Sequence, residues 1–164
     1  MIERRRLKVI GVMGASSCDA QVFHCAYQVG RLIARRGAVL LCGGLTGVME
    51  AAAKGAKQEG GLTIGILPGS NERESPPNPF IDVAIFTGMS DARNAINVRS
   101  SDVVIALWGG YGTLSEIALA LKIGKPVVLL HSWKFEITPR PPSARLAIAQ
   151  TPEEAVERAF AFIE

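Results

Sequence analysis

The sequence predicts an α/β fold, a doubly wound and mainly parallel sheet with helices on both faces, and three observations carry that prediction. Short apolar runs rich in β-branched residues alternate with segments of helical period. The runs are apolar at nearly every position, as in strands buried on both faces. Glycines mark the turns from strand into helix at Gly14, Gly43–Gly47 and Gly109–Gly112. The 164 residues fit one domain with a sizeable core, spanning 1–164. The whole reads as a single Rossmann-like domain.

Each element follows in order. Leu7–Met13 is the first strand. Asp19 caps a helix whose buried stripe is Val22, Cys25, Ala26, Val29 and Ile33, and Gly37 ends it. Ala38–Cys42 is a second strand. Val48, Ala51, Ala52, Gly55 and Ala56 form a small-residue helix face suited to close approach to the sheet, ended by Gly60-Gly61. Leu62–Leu67 is a third strand. Residues 69–80 are polar and proline-rich, which predicts an exposed and mobile loop. Ile81–Phe86 is a fourth strand, and Ser90 or Asp91 caps a helix over roughly 91–100. Asp102–Leu107 is a fifth strand. The next helix buries Leu114, Ile117, Ala118 and Leu121, and Gly124 ends it. Pro126–Leu130 is a sixth strand. Residues 131–147 are poorly patterned and carry Pro139, Pro141 and Pro142. Thr151 caps a last helix, with Pro152 at its first position and Glu154 completing a capping box; Val156, Ala159, Phe160 and Ile163 are its stripe.

Composition narrows the function classes. Apolar residues are 48% and charged residues 20% of the chain, a globular balance. No apolar run approaches the roughly 20 residues of a bilayer span, so no membrane partner is expected. Met1–Arg6 reads as a solvated lead-in to the first strand. The net charge of +3 owes much to the terminal arginines, and aromatics are 6%. A nucleic-acid surface would carry a denser basic stripe interleaved with aromatics, so a small anionic ligand fits better. Cys18, Cys25 and Cys42 form no even framework, which points to a reducing, cytoplasmic compartment. Cys18 lies near a helix start, where a thiol pKa tends to fall, but reads more simply as a small unreactive residue. His24 and His131 have no ligand-like spacing, so neither a metal nor a required cofactor is expected.

Parallel sheets bind ligands at the carboxyl ends of their strands, where strand order reverses. That rim collects Gly14-Ala15-Ser16-Ser17, Gly43-Gly44-Leu45-Thr46-Gly47 and Gly109-Gly110-Tyr111-Gly112-Thr113. A glycine loop opening a helix lets free backbone N–H groups and the helix dipole meet an anion. Gly14, Ser16, Ser17, Gly43, Gly44, Thr46, Gly47, Gly109, Gly110, Gly112 and Thr113 are therefore candidate ligand contacts. Arg93, with a guanidinium suited to phosphate, and Asn94 join them from the helix after the fourth strand. Glu116 falls three residues after Thr113. Placed in the first helical turn, it is expected to be kept ionised by the dipole. Glu50 and Asp91 are weaker candidates that helix-start effects explain. Trp108 can stack on a planar ring or belong to the core.

The motif Trp108-Gly109-Gly110-Tyr111-Gly112-Thr113-Leu114-Ser115-Glu116 resembles the signature P-G-G-x-G-T-x-x-E of the LOG ("lonely guy") superfamily, long labelled lysine decarboxylases. Cys42-Gly43-Gly44-Leu45-Thr46-Gly47-Val48-Met49-Glu50 looks like its second glycine loop. The resemblance runs from about Val9 to Leu130. It implies a Rossmann-like fold and a homodimer or homotetramer. One branch consists of phosphoribohydrolases, which cut the N-glycosidic bond of nucleoside 5′-monophosphates; there Arg93 and Glu116 would be catalytic. The other is similar to molybdenum cofactor carriers, which bind the pterin through its phosphate. Trp108 replaces the signature proline, and Asn94 stands where the enzymes have lysine. Asp91-Ala92-Arg93-Asn94 is similar to the carrier branch. The leading expectation is thus a protein that binds a phosphorylated, nucleotide-like molecule such as molybdenum cofactor. Its phosphate would rest on the Gly110–Thr113 and Gly44–Gly47 amides, and its ring would lie toward Gly14–Ser17. The alternative is hydrolysis of a nucleoside monophosphate.

Overall fold

In the computed structural model of the chain, residues 6–134, 136, 138 and 144–164 are described. They form β1 (Val9–Gly14), α1 (Ala20–Arg35), β2 (Val39–Cys42), α2 (Val48–Gln58), β3 (Thr63–Leu67), β4 (Val83–Phe86), α3 (Arg93–Ser100), β5 (Val103–Leu107), α4 (Tyr111–Lys122), β6 (Val127–Leu130), β7 (Leu146–Ala149) and α5 (Pro152–Ala161). The seven strands pair in parallel in the order β4-β3-β2-β1-β5-β6-β7. This is a Rossmann-like α/β fold. Strand order reverses between β1 and β5, which pair from Ile10 with Val103 to Gly14 with Leu107.

Two cores lie on the two faces of the sheet. Ile10, Val12, Leu40, Val103, Ile105 and Leu107 point to the face covered by α1, α2 and α5. Met13, Leu41, Val104 and Ala106 point to the other, against Val98 of α3 and Ile117 and Ala120 of α4. The alternation follows the period of two along a strand, and both sets are buried because both faces are covered. The small residues of α2 bring it against α1 as well as the sheet. A Cβ on Gly55 would lie 1.9 Å from the Tyr27 carbonyl oxygen, and one on Gly30 1.9 Å from that of Ala52.

Caps were legible where the side chain does the capping. Asp19 accepts from Val22 N at 2.9 Å, and Thr151 from Glu154 N at 3.1 Å. The helix after β4 departs from expectation. Ser90–Ala92 form a single 3₁₀ turn and α3 starts at Arg93, with no side-chain cap among the described residues. Ser90 sits at φ 50°, so neither Ser90 nor Asp91 caps α3.

Two further expectations are corrected. Leu146–Ala149 form a seventh strand, at an edge of the sheet. A four-residue run with two alanines is too weak a signal beside the proline-rich stretch before it. Pro139, Pro141 and Pro142 lie outside the described residues, as does the lead-in as far as Arg5. Arg6 is described and donates to Asp102 Oδ1 at 2.6 Å, while Asp102 Oδ2 accepts from Val9 N.

The segment 69–80 is largely exposed, as expected, but hydrogen bonds tie it down as a strap. Gly69 N donates to Ser75 Oγ, and Asn71 Oδ1 accepts from the Arg73 and Glu74 amides. Buried Asn78 donates from Nδ2 to the carbonyls of Gly44 and Leu45, at 3.3 and 2.8 Å. Among the described residues, no helix is long and apolar enough to cross a membrane.

Gly55→Ala is expected to lower the unfolding free energy by about 2–3 kcal/mol, because the added methyl must push α1 and α2 apart. Urea denaturation with an unchanged slope would read this as a shift in midpoint. An unshifted midpoint would mean that the helices do not need this approach.

Candidate functional site

The reversal of strand order opens a cleft of about 460 Å³ at the carboxyl ends of β1, β2 and β5. Gly14, Ala15, Ser16 and Ser17 form one wall. Gly110, Gly112 and Thr113 form another, and Arg93, Asn94 and Asp91 come from the segment at the start of α3. Val12, Met13, Leu45 and Met49 supply apolar surface, and Gly43 and Glu116 complete the lining.

The two glycine loops differ. α4 begins at Tyr111, inside its glycine motif, and Gly110 occupies the capping position without a side-chain hydrogen bond among the described residues. The first amides of such a helix have no intrahelical acceptor. Beside Gly110 and Gly112, apart from their chain neighbours and the helix's own backbone, no atom of the described residues lies within 4 Å of where a Cβ would stand. This N-terminus is an open cradle of N–H donors.

The N-terminus of α2 is already engaged. Val48 N donates to Ala15 O at 2.9 Å, and the Thr46 hydroxyl donates to Ser16 O at 2.7 Å. Gly47 has φ 68°, and a Cβ there would meet Ala15 O at 2.4 Å. Gly44 packs against Gly65 and Leu67, and Gly109 against the Thr113 side chain. Gly44, Thr46, Gly47 and Gly109, expected as ligand contacts, therefore do not line the cleft. They brace the two loops, and Gly43 is the glycine of its loop that reaches the cleft. Trp108 also stays out of it: its ring sits 4.9 Å from that of His131 and packs on the core beneath α1, α2 and α5. Its φ is 46°, a backbone that proline, locked near about −65°, cannot adopt.

Gly43 makes room for Arg93, since a Cβ there would lie 2.5 Å from a guanidinium nitrogen. The Arg93 side chain is 11% exposed, and Nε is buried without a partner among the described residues. Burial lowers its pKa from the usual arginine value, against the pull of Glu116. Glu116 lies on the buried face of α4 with Thr113, Ile117 and Ala120. This face is turned by one residue from the expected Leu114, Ile117, Ala118 and Leu121 stripe, and Ala118 is exposed. Because α4 starts at Tyr111, Glu116 is its sixth residue, beyond the reach of the dipole that was expected to keep it ionised. Burial instead pushes its carboxyl up to about 7, opposed by a hydrogen bond from Asn97 and by Arg93. Asn97 Nδ2 donates to Glu116 Oε1 at 2.8 Å, and the nearest Arg93 nitrogen is 4.0 Å from that oxygen.

Asn97 and Asn78 were missed in the sequence. Asn97 follows Arg93 by one helical turn, a spacing that could have flagged it. Asn78 acts across more than thirty residues and leaves no local signal. Asn94 Nδ2 donates to Ser115 Oγ at 3.0 Å, which ties α3 to α4 at the cleft edge. Glu50 sits in the first turn of α2, outside the cleft lining. Burial and the Asp19 and Glu50 carboxylates push the Cys18 thiol up, so the helix start does not activate it. Cys42 is pushed up to about 12 by burial. Among the described residues, no group of three His, Cys, Asp or Glu could hold a metal ion.

The SLOG cluster4 family profile matches residues 7–156. The chain belongs to this family. It is similar to the solved molybdenum cofactor binding protein of Rippkaea orientalis, with 46% identity and a TM-score of 0.89 over 98% of this chain and 100% of that one. The molybdenum cofactor carrier protein of Chlamydomonas reinhardtii superposes with a TM-score of 0.81 at 36% identity, covering 95% and 98% of the two chains. The cytokinin riboside 5′-monophosphate phosphoribohydrolase of Mycobacterium tuberculosis is 34% identical over 73% of this chain and 67% of its own. The LOG resemblance and its two branches are thus both present among the relatives.

A raised Glu116 pKa makes stability depend on pH. The folded chain holds this proton more tightly than the unfolded chain, whose carboxyl titrates near 4.5. Its contribution is therefore fully present below about pH 4.5 and is lost as pH rises through about 7, a loss of the order of 3 kcal/mol. Glu116→Gln should flatten this slope and unfold at higher urea than the native chain at pH 8. Parallel pH profiles for the two proteins would show that Glu116 is ionised throughout.

Proposed function

We propose that this protein binds a phosphorylated, nucleotide-like molecule in the β1–β2–β5 cleft, acting as a molybdenum cofactor carrier-like protein. The observation that carries the reading is the uncapped start of α4, which lines the cleft beside the Arg93 guanidinium. Phosphate oxygens suit the Tyr111, Gly112 and Thr113 amides and the Thr113 hydroxyl, with Arg93 adding a charge-assisted partner. A cleft of about 460 Å³ is of small-ligand size, and the Gly14–Ser17 wall and apolar Met13, Leu45 and Met49 leave a surface for a flat ring. The carrier version draws support from Asn94, a neutral residue bonded to Ser115 where the enzyme signature has lysine. The backbone of Trp108, closed to proline, points the same way.

Hydrolysis is the second reading, favoured by the buried pair of Arg93 and Glu116 at 4.0 Å. Breaking a nucleotide C1′–N bond builds positive charge on the ribose. An ionised Glu116 would stabilise that charge and orient a water, while Arg93 holds the phosphate or sugar.

Calorimetry with molybdenum cofactor and with AMP separates the two. The carrier reading expects saturable binding of the cofactor, weakened at least tenfold by Arg93→Ala, and no release of free base from nucleoside monophosphates. Tight AMP binding with base release that Glu116→Gln abolishes would replace it with hydrolysis.

A further inference from the structure

Holding a phosphate does not require a carboxylate on the cleft floor, yet Glu116 is there, 5% exposed. Its charged neighbour from α3 is Arg93, 4.0 Å away. From β2 it is faced by the Cys42 thiol, which is neutral. Asp91, in the turn before α3, draws on the same guanidinium. The Gly14–Ser17 wall carries no ionisable side chain, and the Tyr111–Ser115 turn of α4 carries only the exposed Tyr111 phenol. One guanidinium therefore faces two carboxylates before a ligand arrives. A phosphomonoester adds nearly two negative charges at neutral pH.

We propose that phosphomonoester binding in this cleft is coupled to the uptake of one proton from solvent by Glu116, with Asn97 holding the side chain in both states. This rests on the phosphate reading of the cleft. When the phosphate engages Arg93, the guanidinium no longer compensates Glu116, and an uncompensated buried carboxylate is costly. Forming an O–H bond on the carboxyl removes that charge. Asn97 suits the exchange. Its Nδ2 donates to the carboxylate, while its buried Oδ1 has no partner among the described residues. Turning the amide over presents Oδ1 as acceptor to the new O–H. Burial of the carboxyl already places its titration near neutral pH.

The test is calorimetric titration of the full chain with AMP and with ribose 5-phosphate, which has no glycosidic base to lose. Each is run at pH 7 and 8 in two buffers of different ionisation enthalpy. The expected result is uptake of about one proton at pH 8, where the ligand is already dianionic, and affinity about fivefold weaker at pH 8 than at pH 7. In Glu116→Gln the uptake and the pH dependence should both vanish. Should that variant not fold, the buffer dependence of the native chain decides alone. Binding without proton uptake, or uptake that persists in Glu116→Gln, overturns the proposal and leaves the phosphate reading standing. No binding of either ligand overturns this proposal, while the carrier reading stands or falls on cofactor binding.

Discussion

The pairing of β1 with β5 is the constraint on which the site depends. These strands lie side by side from Ile10 to Gly14 and from Val103 to Leu107, yet β2–β4 continue on one side and β6 and β7 on the other. The chain leaving β1 and the chain leaving β5 must therefore diverge, and a gap opens above their ends. On one face of the sheet α1 closely approaches α2, and on the other α3 and α4 pack over a second core.

Within the gap, backbone geometry sorts donors that look alike. The loop after β2 turns inward on itself, with its hydroxyl and first helical amide engaged by Ser16 and Ala15, and with Asn78 clasping its carbonyls. Among the described residues, the Tyr111, Gly112 and Thr113 amides after β5 are left without an acceptor. The first loop thereby serves as a rigid brace, through which Gly43 gives Arg93 room to fold under the cleft. Burial then governs the charges. Arg93 and Glu116 are each displaced from their ordinary titration in the direction that desolvation dictates, and their mutual attraction opposes but does not cancel it.

Much of this was legible in the sequence. Apolar runs marked six strands, glycines marked the rim, and Asp19 and Thr151 marked helix starts, because each signal is local. The errors share a cause. Residues 69–80 look like a mobile loop because Asn78 finds its partners far away in sequence, at Gly44 and Leu45. Apolarity alone predicts an α4 inner face one residue away from the one observed. Thr113 and Glu116 face inward instead, since the wall they meet is polar cleft and Asn97, not core.

The sequence by itself determined the α/β class, the parallel sheet and the rim on which a ligand would sit, because hydrophobic period and glycine placement are properties of neighbouring residues. The tertiary structure alone decided which glycine loop keeps its amides free and what Glu116 is. Both depend on what lies across the cleft: Ala15 and Ser16 engage one helix start, and burial beside Asn97 and Arg93 pushes the Glu116 carboxyl, which the sequence places in a helix's first turn, up to about 7. Hydrogen-bond engagement and desolvation are set by distant segments brought together, and no local pattern encodes them.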